Sequence, residues 1–413
     1  MSKEISLNKI SDLTKKLSND KHVKILRNAM IRTDSNELSM NWDEYRKIDH
    51  SFSNVISGEM PATNQKSSGR CWGFAGLNLF RVYLGRKHNL KNFEFSQSYF
   101  MFWDKLEKAN YFLESIIDTI SEKSDSRIVM HLLSYPLEDG GQWDMWVNLI
   151  NKYGVLPQTE MSESFSTSQS AQMNKMISNK LREYASELRN FHKNGESLEK
   201  LRELKDKMIE EVFKMLSMHI GTPPQTFDWQ VRNKDKKFLR FENLTPQSFF
   251  KEHVALNLED YVCLINCPMK DKEYNKVYTV EHLGNVIEGR NIRYLNVTSK
   301  EMKDASIKSI KDDNPVWFGC DVGKYFHRNL GVMDTNLFDY NFFYDSEFKM
   351  NKAQRLEYGQ SMMTHAMLFT GVDLDEKGNP VKWRVENSWG KKGGSKGYHI
   401  MSDDWFDEYN YEV

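Results

Sequence analysis

Downstream of Ser68, apolar residues recur at three- and four-residue spacing: Phe74, Leu77, Phe80 and Leu84 follow Cys71-Trp72-Gly73. That period is helical, and the Ser68-Gly69-Arg70 turn ahead of it sets Cys71 in the first turn of a buried helix. Residues 96–123 and 142–153 read as helices too. From 172 to 219 the helical pattern is strongly charged. Leu201, Leu204, Met208, Val212 and Met215 form one apolar stripe, Lys, Arg, Glu and Asp fill the other faces, and Thr222-Pro223-Pro224 stops the run. This predicts an inserted surface pair of helices, with a partner-binding or self-assembly helix as the alternative. Residues 1 to about 60 mix short amphipathic stretches with polar connections, and Ser6, Ser11 and Ser18 stand as caps for short helices.

The C-terminal half changes period. Residues 261–266, 277–280, 294–297, 315–318, 366–372 and 381–386 are short runs rich in β-branched and aromatic residues, which predicts strands. Helices first and strands second make an α+β protein, with a helical lobe against a sheet or barrel lobe. The expected division is an N-terminal extension wrapping the core over 1–60 and a helical lobe with Cys71 over 61–170. An inserted helical subdomain over 171–222 and a β-rich lobe over 223–413 complete it.

Composition narrows the function classes. Hydrophobic residues are 39% of 413 and aromatics 13%, as in a folding sequence. Fifty-seven basic residues against 58 acidic give a net charge of -1, which argues against a dedicated nucleic-acid binder. The N-terminus has no run of signal-peptide character and no apolar stretch reaches membrane-spanning length. Four cysteines in so long a chain are no disulfide framework. The expectation is a cytoplasmic protein with no membrane association.

Three segments carry chemistry. Cys71 at a helix start sits beside the positive end of the helix, which favours a thiolate. Gln65, six residues upstream, and the Cys71 N–H are candidate donors for an oxyanion. His365 opens the apolar run Ala366–Val372, and Asn387-Ser388-Trp389 follows the next one. A hairpin centred near Glu376 sets His365 opposite Asn387 as cross-strand neighbours, about 5 Å apart at Cβ. Asn387 then fixes the imidazole tautomer, leaves the other nitrogen to Cys71, and has Trp389 as a shield against water.

Other groups read as structural. Cys263 and Cys267 lack a second ligand pair, and Cys320 reads as a buried core thiol. Asp139-Gly140-Gly141-Gln142 is a turn before a helix, on the cleft or purely structural. Lys234, Lys236, Lys237 and Arg240, interleaved with Phe238 and Phe241, follow a Phe227-Asp228-Trp229 strand and read as a solvated hairpin. A nucleic-acid contact is the alternative there, and is not expected. No metal or organic cofactor is called for.

Gln65-Lys66-Ser67-Ser68-Gly69-Arg70-Cys71-Trp72 resembles the nucleophile segment of papain-like cysteine peptidases, and Ser-Gly-Arg-Cys-Trp looks like their bleomycin hydrolase and aminopeptidase C branch. Thr364-His365-Ala366-Met367, Glu386-Asn387-Ser388-Trp389-Gly390 and Val316-Trp317-Phe318-Gly319-Cys320 support that branch. His365 lies about 300 residues after Cys71 rather than about 130–150, which fits inserted helices. The resemblance implies a papain-like fold, an intracellular peptidase acting on peptide substrates, and a homo-oligomer, commonly a hexamer. In that branch a C-terminal arm enforces aminopeptidase behaviour. The resemblance as a whole implies an aminopeptidase; this sequence stops at Val413, which leaves an open-cleft endopeptidase as the alternative.

Overall fold

A computed structural model describes residues 3–413. Its organising element is the helix Cys71–Lys87, apolar nearly all round, as an interior helix must be. Trp72, Phe74, Leu77, Phe80 and Leu84 on it are all buried. Against it lie the helices Gln97–Asp118, capped by Ser96, and Trp143–Tyr153. The first ends several residues before the predicted 123, at a Thr119 cap.

The charged block forms two helices, Ala171–Lys193 and Leu198–Ile220. Leu201, Met208 and Val212 are buried, while Leu204 and Met215 are half-buried at the edge of the same stripe. That stripe joins the apolar cluster of Phe102, Leu113 and Ile116, so the pair packs onto the helical lobe. Arg202 and Lys205 fasten it to Glu114 at 3.1 and 2.7 Å.

In chain order the strands are β1 (Asn54–Val55), β2 (Phe227–Arg232), β3 (Phe238–Leu244), β4 (Cys263–Ile265), β5 (Val277–Tyr278), β6 (Tyr294–Asn296), β7 (Val316–Cys320), β8 (Phe326–His327), β9 (Val332–Met333), β10 (His365–Leu374), β11 (Pro380–Glu386), β12 (Tyr398–Ser402) and β13 (Asn410–Glu412). β2 and β3 make the separate hairpin that the aromatic-basic pattern predicted. The others form one sheet in the order β5-β6-β4-β13-β7-β10-β11-β12-β9-β8, with β1 also on β10. All six predicted strand runs form strands. β12, β13 and the helix Ser299–Lys311 carry no signal used above.

Strand β10 is the wall between the lobes, because its side chains alternate. Ala366 and Leu368 belong to the helical-lobe core, while Met367 and Phe369 belong to the barrel core with Phe318, Trp383 and Phe406. The β10–β11 register differs from the predicted hairpin. Leu368 pairs with Glu386, and irregularities fall between Phe369 and Gly371 and between Asp373 and Leu374. His365 lies directly opposite Cys320 of β7, not Asn387. In the N-terminal extension, Ser6 caps the helix Leu7–Ser18, but Ser11 lies inside it and Ser18 ends it; Asp20 caps the next helix, Lys21–Met30.

Candidate active site at the junction of the lobes

Cys71 is the first residue of its helix, and Arg70 before it makes no side-chain cap. The first-turn N–H groups are therefore free for another acceptor. The backbone N–H groups of Cys71, Trp72 and Ala366 all act on the Cys71 thiol and favour its ionised form. Ala366 follows His365, so the thiol of the helical lobe sits at the start of the histidine strand. Burial pushes the thiol up, those three donors oppose it, and the charge of Asp139 adds to the rise.

The loop before Cys71 is pinned by side chains. Arg70 forks onto Glu163 through two bonds of 2.8 Å, and its Nε donates to Ser68 Oγ at 2.9 Å. Gln65 is buried and tied to both lobes. Its Nε2 donates to the Ser68 carbonyl at 2.7 Å, its Oε1 accepts from Ser388 Oγ at 2.6 Å, and its N–H donates to the Ser388 carbonyl at 2.8 Å. One amide hydrogen of Gln65 is thus spoken for and the second is not.

Asp139 closes the other side. Its carboxylate accepts from the Gly69 N–H at 3.2 Å, Ser170 Oγ at 3.0 Å and Asn174 Nδ2 at 2.6 Å, and pairs with Lys105 at 2.7 Å. Its carbonyl accepts from Trp72 Nε1 at 2.9 Å. Burial pushes this carboxyl up, but Lys105 and the hydrogen bonds from Lys105, Asn174 and Ser170 outweigh it and hold it below the carboxylate range. Gly69 must be glycine here, since a Cβ would come within 2.3 Å of Asp139 Cβ.

His365 is buried at the head of β10, and its Nε2 lies 2.9 Å from Asn387 Oδ1. That same oxygen accepts from the Ser388 N–H at 2.8 Å, which sets the amide's orientation and makes Nε2 the protonated nitrogen. The predicted pairing is therefore made, though by a residue just past the end of β11 rather than by cross-strand register. Trp389 lies over it, 4.9 Å from the imidazole between ring centroids, with Arg328 4.5 Å above the indole. Burial pushes His365 down to about 4; Arg328 adds to this, and the Asn387 bond opposes it. One residue earlier, Glu386 forms a fully buried ion pair with Arg81 of the Cys71 helix.

The structure thus gathers Cys71, His365, Asn387, Gln65 and Trp389 at one place. Cys320 and Cys263 are buried in β7 and β4. Among the described residues no group of three or more metal-ligating side chains is assembled, and no helix is long and apolar enough to cross a membrane. Sequence reasoning missed the parts of Arg81, Ser388 and Arg328. Glu386 and Ser388 stood inside a quoted motif, and Asp139 in a turn noted for its glycines, so only their partners were hidden.

A thiol at a helix start, facing a His–Asn pair carried by a sheet, is the arrangement of the papain-like thiol peptidases. The chain belongs to the Peptidase C1-like family, whose model matches residues 4–413. It is 43% identical to bleomycin hydrolase of Mus musculus over 98% of this chain and 91% of that protein. It is also 43% identical to aminopeptidase C of Listeria innocua, over 100% and 92%. The crystal structure of pepw from Lactobacillus rhamnosis superposes with a TM-score of 0.97 at 43% identity, covering 100% of this chain and 92% of that one. The chain is a cysteine-type peptidase similar to bleomycin hydrolase and aminopeptidase C.

Proposed function

We propose that Cys71, His365 and Asn387 are the catalytic triad and that the enzyme is an aminopeptidase acting on peptide substrates. The observation that carries this is the 2.9 Å His365–Asn387 bond at the head of the strand whose Ala366 N–H favours ionisation of the Cys71 thiol. The neutral imidazole, protonated on Nε2, has Nδ1 free as a base. The Cys71 sulfur attacks the scissile carbonyl carbon while its proton passes to Nδ1, forming the C–S bond. The oxyanion is held by the Cys71 N–H and the uncommitted Gln65 amide hydrogen. Collapse breaks the C–N bond as Nδ1 returns the proton to the leaving amine. Water, deprotonated by the same nitrogen, then hydrolyses the thioester and frees Cys71. Trp389 keeps water off the His–Asn bond.

The similarity to aminopeptidase C favours exopeptidase action. Four free cysteines suit a reducing compartment, and we take the enzyme to be cytoplasmic. We also take it to be a homo-oligomer, a hexamer by resemblance. The helix Leu7–Ser18 buries none of its residues and exposes Leu7, Ile10, Leu13 and Leu17 along one stripe, an apolar face suited to a second copy.

The test is hydrolysis of paired fluorogenic peptides, one with a free amino terminus and one N-acylated, by the wild type and Cys71→Ala, with light scattering on the same samples. An aminopeptidase cleaves the free-amine peptide alone, and Cys71→Ala cleaves neither. Cleavage of the acylated peptide makes it an endopeptidase, and retained activity in the variant removes Cys71 from the reaction. A solution mass of 48.7 kDa, that of one chain, removes the oligomer.

A further inference from the structure

Arg328 stands on the turn between β8 and β9, exposed, with its guanidinium 4.5 Å above the Trp389 ring. Its guanidinium packs against the indole and enters no ion pair among the described residues. The loop 391–396 is docked on the same turn. Gly394 donates to the Asn329 carbonyl at 3.2 Å, and a Cβ on Gly393 would come within 2.8 Å of the Arg328 carbonyl. That loop carries Lys391, Lys392 and Lys396, all exposed. Glu37, the acid that reaches this turn, is engaged by His327 at 3.2 Å. Arg328 therefore lies over Trp389 with no ion-pair partner among the described residues, beside a docked loop that carries three exposed lysines.

The place of this patch gives it meaning. In acyl transfer the histidine hands its proton to the departing amine, so the leaving fragment must pass His365. The ring packed against that imidazole is Trp389, at 4.9 Å, and Arg328 lies 4.5 Å from the indole. The two stacking distances put the guanidinium at most about 9.4 Å from the imidazole, a span covered by about three extended residues at about 3.3–3.6 Å each. A planar guanidinium held against an indole is pre-organised to take a carboxylate through two parallel bonds.

We propose that Arg328, with Lys391, Lys392 and Lys396 on the loop docked beside it, forms a subsite for a carboxylate on the departing fragment. The preferred substrates are peptides with an acidic side chain or a free C-terminal carboxylate within the first two residues after the scissile bond. This rests on the assignment of His365 as the proton donor to the leaving amine.

The test is kcat/KM for a peptide series with one common acyl side, assayed with the wild type and Arg328→Gln. The leaving fragment carries Glu, Gln or Lys at its first or second position, each as the free acid or the C-terminal amide. An exposed charge pair of this kind is expected to favour Glu over Gln by about three- to fivefold in the amides. The order is Glu, Gln, Lys, the ratio shrinks as salt rises, and it approaches one in Arg328→Gln. Comparing acid with amide in the Gln peptides reads the terminal carboxylate separately from the side chain. A preference from either source that the variant abolishes supports the subsite and names its ligand. Equal rates for every carboxylate and its amide in the wild type, or a preference that survives Arg328→Gln, overturn it. The uncharged amide peptide reports catalysis by itself, so its failure to react would indict the triad rather than the subsite.

Discussion

The nucleophile loop and the histidine strand meet at one site but are held by opposite means. Residues 65–72 are irregular backbone, and charged side chains fasten them: Arg70 on Glu163, and Asp139 with its donors from Gly69, Lys105, Ser170 and Asn174. His365 begins a strand whose ladder, from Cys320 against His365 to Val316 against Phe369, already fixes the backbone. One neutral bond to Asn387 and the indole of Trp389 then suffice to orient the ring. A loop has no ladder, so its geometry is bought with buried charge, whereas a strand gets its geometry from register.

The joint between the two halves is the place to break them apart. Arg81 of the Cys71 helix and Glu386 of β11 are both about 1% exposed and paired only with protein groups. Glu386→Gln leaves the arginine charge buried and unpaired, which costs roughly 3–5 kcal/mol of stability. Urea unfolding followed by tryptophan fluorescence measures it. The double variant Arg81→Met/Glu386→Leu recovers most of that loss, because no orphaned charge remains. A single-variant cost under about 1 kcal/mol, the range of an exposed pair, would mean this ion pair does not couple the lobes.

A sharper comparison sets one residue from each side against the other. Asn387→Ala frees the imidazole to rotate, and misplacing a reacting group by about 1 Å costs on the order of 10²-fold in kcat. KM changes little. Asp139→Ala takes the nearer carboxylate from buried Lys105, which keeps Asp104 at 3.6 Å, and leaves the loop donors unsatisfied, so its main effect is on folding, on the order of 3 kcal/mol. Steady-state kinetics and thermal melts on both variants read the two axes. If Asn387→Ala destabilises more than Asp139→Ala, the contrast between a pinned loop and a self-supporting strand is wrong.

What was legible in the sequence follows the same division. Cys71, His365, Asn387 and Gln65 stand in short local segments whose residue types announce their chemistry, and the helix around Cys71 shows itself in the apolar spacing from Phe74 to Leu84. The register of β10 on β11 was not legible, because the irregularity around Thr370 has no breaker residue that distinguishes it from the adjacent Gly371. β13 is three residues long and two of them are polar, so it has no alternation to detect. Arg81 and Glu386 are 305 positions apart, and nothing local to either names the other. Asp139 is a similar case, since its donors come from loop, lobe and insertion at once.

The smallest expected effect concerns pH, and it separates the site from the rest of the molecule. His365 titrates at about 4 in the folded protein, so kcat/KM falls as pH drops through about 4 and the base becomes protonated. The polar and titratable groups that act on it are Asn387, Arg328 and His399. Asn387 stabilises the imidazolium, so Asn387→Ala moves the acid limb lower; Arg328 destabilises it, so Arg328→Gln moves the limb higher. Stability has a different window. His365, His399, His88 and His253 are each pushed down to about 4, chiefly by burial, against an ordinary value of 6.5. Between those values the unfolded chain binds protons that the folded one refuses, so stability is full above about 6.5 and drains as pH falls toward about 4. Melting should therefore weaken at a pH where the surviving folded enzyme still has its full kcat/KM. Rates taken within seconds of a pH jump, alongside melts at the same pH, test this. An acid limb of kcat/KM that tracks the loss of stability near 6 would make His365 an ordinary exposed histidine and remove the burial argument for its role as a base.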